Sequence, residues 1–287
     1  MKINLKVFIA LLLSVYSLTA GLKDTKGSLF IIGGGERNQE MHKFVELAGG
    51  VDSRIILIPM ASGEPIPYAT EEVERLKKLG CKNVDYIFCD RKGADLDSNI
   101  AKLKNTTGVF FLGGDQVKLT GALLGSKLFD SIKDIYKKGG VLGGTSAGAA
   151  VMSEVMITGD ELINKDTTRN FYTIQKGNVQ TVQGFGFVTK AIIDQHFVIR
   201  KRLNRLISVV LEHPNLIGVG IDETTGIIVK ADDTFEVFGG RTVVVIDASQ
   251  AENILTNEEG LLSAQGIKLN ILHSGEKYDL IKKQIIK

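Results

Sequence analysis

Short apolar runs rich in β-branched residues recur along the chain: Ser28 to Ile32, Arg54 to Pro59, Val84 to Phe88, Gly108 to Leu112, Val141 to Gly144 and Ile217 to Asp222. They are apolar at consecutive rather than alternate positions, as strands covered on both faces of a parallel sheet are. Between them the pattern predicts helices over Met41 to Ala48, Tyr68 to Leu79 and Lys118 to Lys138, the last broken near Gly121 or Gly125. Strand alternating with helix is the signature of a doubly wound α/β fold, in which ligands sit beyond the carboxyl ends of the strands. Glycine-rich turns fall at such ends, at Gly33-Gly34-Gly35, at Gly113-Gly114 and after Val141-Leu142. From Thr225 onward the rhythm changes to short strands, Thr225 to Val229, Thr234 to Phe238, Arg241 to Asp247 and Ile267 to Leu272. These read as β-hairpins appended to the main sheet. No linker sets them apart, so one domain over 21–287 is expected.

The first twenty residues stand outside this pattern. Lys2 and Lys6 precede an apolar run from Val7 to Val15, followed by Ser17, Thr19 and Ala20, the layout of a secretory signal peptide. That predicts export, to the periplasm or the medium, with a mature chain starting near Gly21 and no membrane association afterwards. No later segment reaches the ~20 apolar residues of a membrane-spanning helix. Export permits a disulfide, but Cys81 and Cys89 flank a predicted strand, Val84 to Phe88, that would part them by about 26 Å, so both are expected to be free. With 44% apolar residues in 287, the chain can bury a sizeable core. Its 35 basic and 33 acidic side chains nearly balance, leaving no electrostatic footprint for nucleic acid and favouring a small molecule or peptide as substrate.

Candidate chemistry centres on Gly144-Thr145-Ser146-Ala147-Gly148, a Gly-x-Ser-x-Gly sequence directly after an apolar strand. Such a turn can display a serine where a base can reach its hydroxyl. Taken alone, the stretch is equally a strand-to-helix connection or a phosphate cradle. A base is available from His42, His196, His213 or His273. His196 is preferred, because it ends the run Ala191-Ile192-Ile193 within Asp194-Gln195-His196-Phe197, at a strand end that faces the same crevice. An acid is needed to orient the imidazole. Glu223, after the strand ending at Asp222, is the candidate, with Asp222 as close competitor and Asp160 and Glu161 behind them. Adjacent strand residues point to opposite faces, so at most one of Asp222 and Glu223 reaches His196. Backbone N–H groups of Gly114 and Ala147 are candidates for holding an oxyanion. Beyond His196 a helix is predicted from Val198 to Leu206, with Arg202 and Arg205 on one face. Basic runs on helices are commonly solvated faces, but beside a base these arginines are also suited to substrate carboxylates.

Four separated blocks carry a family resemblance: Gly113-Gly114-Asp115-Gln116, Gly143 to Ala150, Asp194-Gln195-His196-Phe197 with Arg200, Arg202 and Arg205, and Gly220-Ile221-Asp222-Glu223-Thr224. Together they resemble the cyanophycinases, exopeptidases of the S51 serine peptidase group related to aspartyl dipeptidase (peptidase E). The resemblance runs from about Gly27 through the C-terminal hairpins. It implies a flavodoxin-like, mostly parallel sheet related to class I glutamine amidotransferases, with serine as nucleophile. It further implies Ser146 as nucleophile, His196 as base, Glu223 as orienting acid, and Gln116, Asp194, Gln195, Arg200, Arg202 and Arg205 around a β-aspartyl substrate. The expected substrate is cyanophycin or a related β-aspartyl peptide, with no metal or organic cofactor and with a homodimer as the assembly that relatives suggest. The stretch Glu154 to Thr189 is longer than the family pattern, which leaves the substrate loop and the roles of Asp160 and Glu161 open. An α-aspartyl dipeptidase or other acidic-peptide peptidase, and a non-catalytic acidic-peptide-binding homologue, are the alternatives.

Overall fold

The computed structural model of the chain describes residues 25–165 and 171–287, so the export signal expected at 1–20 lies outside the described residues. The apolar runs form β1 (Ser28–Ile32), β2 (Arg54–Ile58), β3 (Asn83–Tyr86), β4 (Gly108–Phe111) and β5 (Val141–Thr145), parallel strands in the spatial order β1-β5-β4-β2-β3. Helices α1 (Asn38–Leu47) and α2 (Pro65–Lys78) cover one face, packing Met41, Phe44, Val73 and Leu76 on Phe30, Ile55, Leu57 and Phe110. The opposite face carries the short α3 (Asp97–Ala101), then α4 (Gln116–Leu123), α5 (Lys127–Lys137) and the four-residue α6 (Ala147–Ala150). The long helix predicted over Lys118 to Lys138 is thus two, parted at Gly125, where φ is +70°, with the Ser126 hydroxyl capping α5 through the Phe129 N–H at 3.1 Å.

After α6 the chain adds β6 (Val155–Glu161) and β7 (Val179–Gln183) as a two-stranded ribbon, then β8 (Ala191–Gln195), α7 (Leu203–Glu212) and β9 (Ile217–Ile221). The remaining strands are β10 (Thr225–Val229), β11 (Thr234–Gly239), β12 (Val243–Asp247), β13 (Glu252–Thr256), β14 (Leu262–Gln265), β15 (Lys268–Leu272), β16 (Lys277–Asp279) and β17 (Gln284–Ile286). Two sequence expectations are corrected here. The strand from Ile217 does not join the main parallel sheet; it sits in a second, four-stranded sheet, β15-β12-β9-β8. The C-terminal hairpins divide as well: β10, β11, β16 and β17 extend the main sheet to nine strands, while β12 and β15 belong to the second. A run apolar on both faces announces burial and says nothing of which sheet buries it. Here Ile193, Val219, Ile221 and Val243 share one core with Leu29, Ile31 and Leu142 of the main sheet. The other face of the second sheet, with Ile192, Val244 and Ile246, is covered by Leu206, Val209 and Val210 of α7.

Two further differences are local. The helix predicted from Val198 begins only at Leu203, because Lys201 takes φ +54° and the Asp222 carboxylate accepts from the Ile199 N–H at 3.1 Å, holding 198–202 as a turn. The strand predicted over Val84 to Phe88 is the half-buried edge strand β3. Cys81 and Cys89 are free, as expected. Among the described residues no helix is long and apolar enough to cross a membrane.

Candidate active site

Ser146 joins β5 to α6 at φ +55° and ψ −113°, a strained left-handed corner for a residue with a Cβ. The corner closes tightly because Gly148 has no side chain: a Cβ there would lie 2.1 Å from the Phe111 carbonyl oxygen of β4. The Ser146 N–H donates to the Ile32 carbonyl at 3.2 Å, tying the corner to the end of β1. Gly113 faces it from the end of β4, where an added Cβ would stand 3.3 Å from Ser146 Cβ and 3.8 Å from Oγ. The Gly114 and Ala147 amides donate to no acceptor among the described residues, Ala147 because it opens a helix whose first N–H groups have no partner within it.

The candidate base and acid come from the end of β8 in the second sheet and from the crossing between the two sheets. His196 follows β8 at φ +47° and its N–H donates to the Gly33 carbonyl at 2.8 Å, which fastens the second sheet to the end of β1. Its Nε2 lies 2.9 Å from Ser146 Oγ and its Nδ1 2.5 Å from Glu223 Oε1. Glu223 stands in the turn where the chain crosses from β9 of the second sheet to β10 of the main one, with the Thr224 N–H donating to the Gly34 carbonyl at 2.9 Å. The three side chains from three distant sequence blocks thus form one relay at the seam between the sheets. The competition with Asp222 is resolved by geometry. Asp222 is 2% exposed, caps the Ile199 amide and pairs with Arg241 at 3.4 Å. Glu161, the lesser candidate, is buried and accepts from the Phe171 N–H at 3.2 Å and the Asn178 amide at 2.8 Å, bracing the loop after β6. Asp160 is exposed and outside the relay.

His196 is buried, and burial pushes its pKa below the ordinary imidazole value; the Arg200 and Arg202 cations push the same way while the Glu223 hydrogen bond opposes them. The ring is therefore neutral at pH 7, with the proton placed on Nδ1 by the Glu223 carboxylate and Nε2 free to take one from serine. Among the arginines the roles divide. Arg205 is 2% exposed, and its Nε donates to Asp194 at 2.7 Å while Nη2 donates to the other carboxylate oxygen, a bidentate pair. Arg202 donates to both oxygens of Gln195, at 2.6 and 2.8 Å. Arg200 is exposed and close enough to depress the His196 pKa. The buried Gln116 amide donates to the Ile157 and Thr158 carbonyls at 2.8 and 2.5 Å, binding α4 to β6. In the sequence, Gly33 to Gly35 reads only as a glycine-rich turn at a strand end. The structure makes it the back wall of the relay, since a Cβ at Gly34 would fall 2.2 Å from the His196 ring.

A nucleophile elbow facing a histidine–carboxylate pair across the end of a parallel sheet defines the class of serine hydrolases of α/β fold. Within that class the chain belongs to peptidase family S51, whose family profile matches residues 29–237. It is 34% identical to the cyanophycinase of Synechococcus elongatus over 271 residues, covering 91% of this chain and 81% of the relative. The crystal structure of a peptidase from an acI-B1 actinobacterium superposes with a TM-score of 0.64 at 21% identity, covering 90% of this chain and 98% of that one. A putative peptidase E protein from Listeria monocytogenes EGD-e does so with a TM-score of 0.50 at 16% identity, covering 75% and 98%. These two likenesses establish the fold, an α/β architecture with a largely parallel central sheet.

Proposed function

We propose that the chain is an exported serine exopeptidase that hydrolyses cyanophycin, a poly-aspartate bearing arginine on its β-carboxyls, or a closely related β-aspartyl peptide, releasing β-Asp-Arg dipeptides. The observation that carries the reading is the relay Ser146 Oγ, His196 Nε2 and Nδ1, Glu223 Oε1, with spacings of 2.9 and 2.5 Å, in a chain similar over nine-tenths of its length to a cyanophycinase. In this reading Ser146 Oγ attacks the scissile carbonyl carbon as its proton passes to His196 Nε2. Glu223 stabilises the imidazolium that results, and the Gly114 and Ala147 N–H groups receive the carbonyl oxygen as it becomes an oxyanion. The tetrahedral species collapses, the C–N bond breaks, and the leaving amine takes the proton back from Nε2. Water then repeats the sequence on the acyl-enzyme, returning Ser146 to its starting state.

Arg200, exposed beside the base, is the group best placed to meet a substrate carboxylate. The Asp194–Arg205 pair and the Gln195–Arg202 contacts brace the strand end that leads into His196. Export rests on the Lys2 and Lys6 n-region and the apolar run from Val7 to Val15. Incubation with cyanophycin followed by mass spectrometry of the products tests the activity: β-Asp-Arg dipeptides are expected, and their absence alongside cleavage of Asp-Leu would turn the assignment to an α-aspartyl dipeptidase. N-terminal sequencing of the protein recovered from periplasm and medium tests the export signal, a mature start near Gly21 being the expected result.

A further inference from the structure

The loop from Gly33 to Arg37 touches both His196 and Glu223, yet nothing in the catalytic chemistry accounts for how it is held. At Gly35 an added Cβ would lie 2.9 Å from Glu223 Cβ and 3.0 Å from Oε2, so the bare backbone is pressed against the carboxylate as it is against the imidazole at Gly34. Gly34 and Gly35 have φ of +117° and +75°, so nothing in their own conformational preference fixes this path. Backbone hydrogen bonds from His196 to Gly33 and from Thr224 to Gly34 tie the first part of the loop, and Arg37, 8% exposed at the start of α1, adds a side-chain restraint at Gly35. Its Nη1 donates to the Gly35 carbonyl at 3.4 Å, and its Nη2 donates to the Tyr68 hydroxyl at 3.0 Å and to Glu72 Oε1 at 2.5 Å. Tyr68 and Glu72 lie one turn apart on α2, and Glu72 is 1% exposed. Arg75 Nε stands 3.8 Å from the same Glu72 oxygen, while the second oxygen, Oε2, has no hydrogen-bond partner among the described residues.

A carboxylate buried to this degree costs several kcal/mol to desolvate, and its pairing seldom repays that in stability alone. Its place in the fold explains what it secures. We propose that Arg37 is a positioning residue for the hydrolytic relay, clamped by the buried Glu72 of α2 so that the Gly33–Arg37 loop holds His196 and Glu223 in register with Ser146. This rests on the Ser146–His196–Glu223 reading given above. The clamp acts from the face of the main sheet covered by α1 and α2, whereas α6 and the second sheet that carries His196 pack on the other face. The loop that the clamp fixes packs the Gly34 backbone against the imidazole, whose surrounding charges are Glu223 from the β9–β10 turn and Arg200 and Arg202 from the turn after β8.

The test is the double variant Arg37→Met, Glu72→Met, which removes both buried charges together and so leaves no orphaned one. Three readouts are taken: turnover of cyanophycin, the rate at which a fluorophosphonate labels Ser146, and the pH–rate profile. The expected result is a folded protein whose kcat and labelling rate both fall by roughly ten- to a hundredfold, as small misplacements of reacting groups produce. KM should stay within about twofold, because no substrate contact is lost. The acid limb of the profile should move up, as a less shielded His196 returns toward its ordinary pKa. Wild-type kcat and labelling with an unmoved acid limb would overturn the proposal and leave the pair a purely structural one. Should the double variant unfold, Arg37→Lys replaces it, keeping the charge beside Glu72 but losing the fork to Gly35 and Tyr68. The same losses are expected of it, and wild-type values overturn the proposal equally. Ser146→Ala separates the two layers of inference. If it retains full activity, the relay reading fails and this one with it; if it is inactive while the clamp variants match wild type, only the clamp falls.

Discussion

The two halves of the candidate site are built by different means. The Ser146 half is backbone geometry: one strand, one four-residue helix, and a glycine that lets α6 lie against the Phe111 carbonyl. The His196–Glu223 half is assembled from the end of β8, the crossing between β9 and β10 and the loop after β1, and is held by polar side chains. Just before His196 in the chain, Asp194 pairs with Arg205 and Gln195 accepts from Arg202, and Asp222 caps the turn that follows. A nucleophile needs a fixed corner, which contiguous residues can supply. A base needs a tuned environment, which only residues from several elements can. The first half should therefore fail all at once when altered, and the second by degrees.

The largest expected effects come from breaking the nucleophile half. Ser146→Ala should lower turnover by at least about 10³-fold while leaving the thermal transition in place, since it removes a reacting atom and no packing. Gly148→Ala should instead lose the fold, because its Cβ would meet the Phe111 carbonyl oxygen at 2.1 Å and backbone cannot give way cheaply. Recovery of soluble protein and its thermal melt check this. On the other half, Glu223→Gln should retain the fold, its side chain being 23% exposed, and reduce kcat by on the order of 10² to 10⁴-fold by losing the carboxylate that selects the tautomer. An amide variant as active as wild type would remove Glu223 from the relay.

The same contrast governs what the sequence revealed. Gly144 to Gly148 is legible because its physics is local: a buried strand, then small residues at fixed offsets. His196 and Glu223 are legible as strand-end polar residues, since the end of an apolar run is itself a local signal. Glu223 against Asp222 was not decidable, because the choice depends on Arg241 and the Ile199 amide, 19 and 23 residues away. The helix start at Leu203 was hidden for the same reason, and so was the buried pairing of Arg205 with Asp194, which turns a seemingly solvated arginine into part of the core. Sheet membership was hidden more deeply. The strands β9 and β1 carry similar apolar runs, and only the long-range pairing of β9 with β8 and β12 separates them into two sheets.

A smaller effect on turnover is expected deeper in the second half, with stability as the main readout. Asp194→Asn leaves the Arg205 guanidinium buried without its counter-charge and should cost about 3–5 kcal/mol of stability, seen as a lower urea midpoint. Replacing both residues, Asp194→Leu with Arg205→Met, should recover most of it. A single variant as destabilising as the double would mean the pair is held by packing rather than charge.

The smallest expected effect sharpens the contrast most, because it tunes the base half without touching its scaffold. Arg200 is exposed, and its charge helps hold the His196 pKa below the ordinary value. The active form of the base is the neutral one, so kcat/KM falls as pH drops through the His196 pKa, and this limb should lie below about pH 6.5 in the wild type. Removing the cation in Arg200→Gln makes protonation easier and must move the limb upward. Because the charge acts across solvent, the shift should be larger at low ionic strength and shrink in high salt. The proposed role of Arg200 in meeting a substrate carboxylate predicts a raised KM for acidic peptides in the same variant, with kcat at its plateau little changed. A raised KM with an unmoved limb would make Arg200 a substrate contact only, whereas a moved limb at unchanged KM would make it an electrostatic neighbour of the base with no hold on substrate.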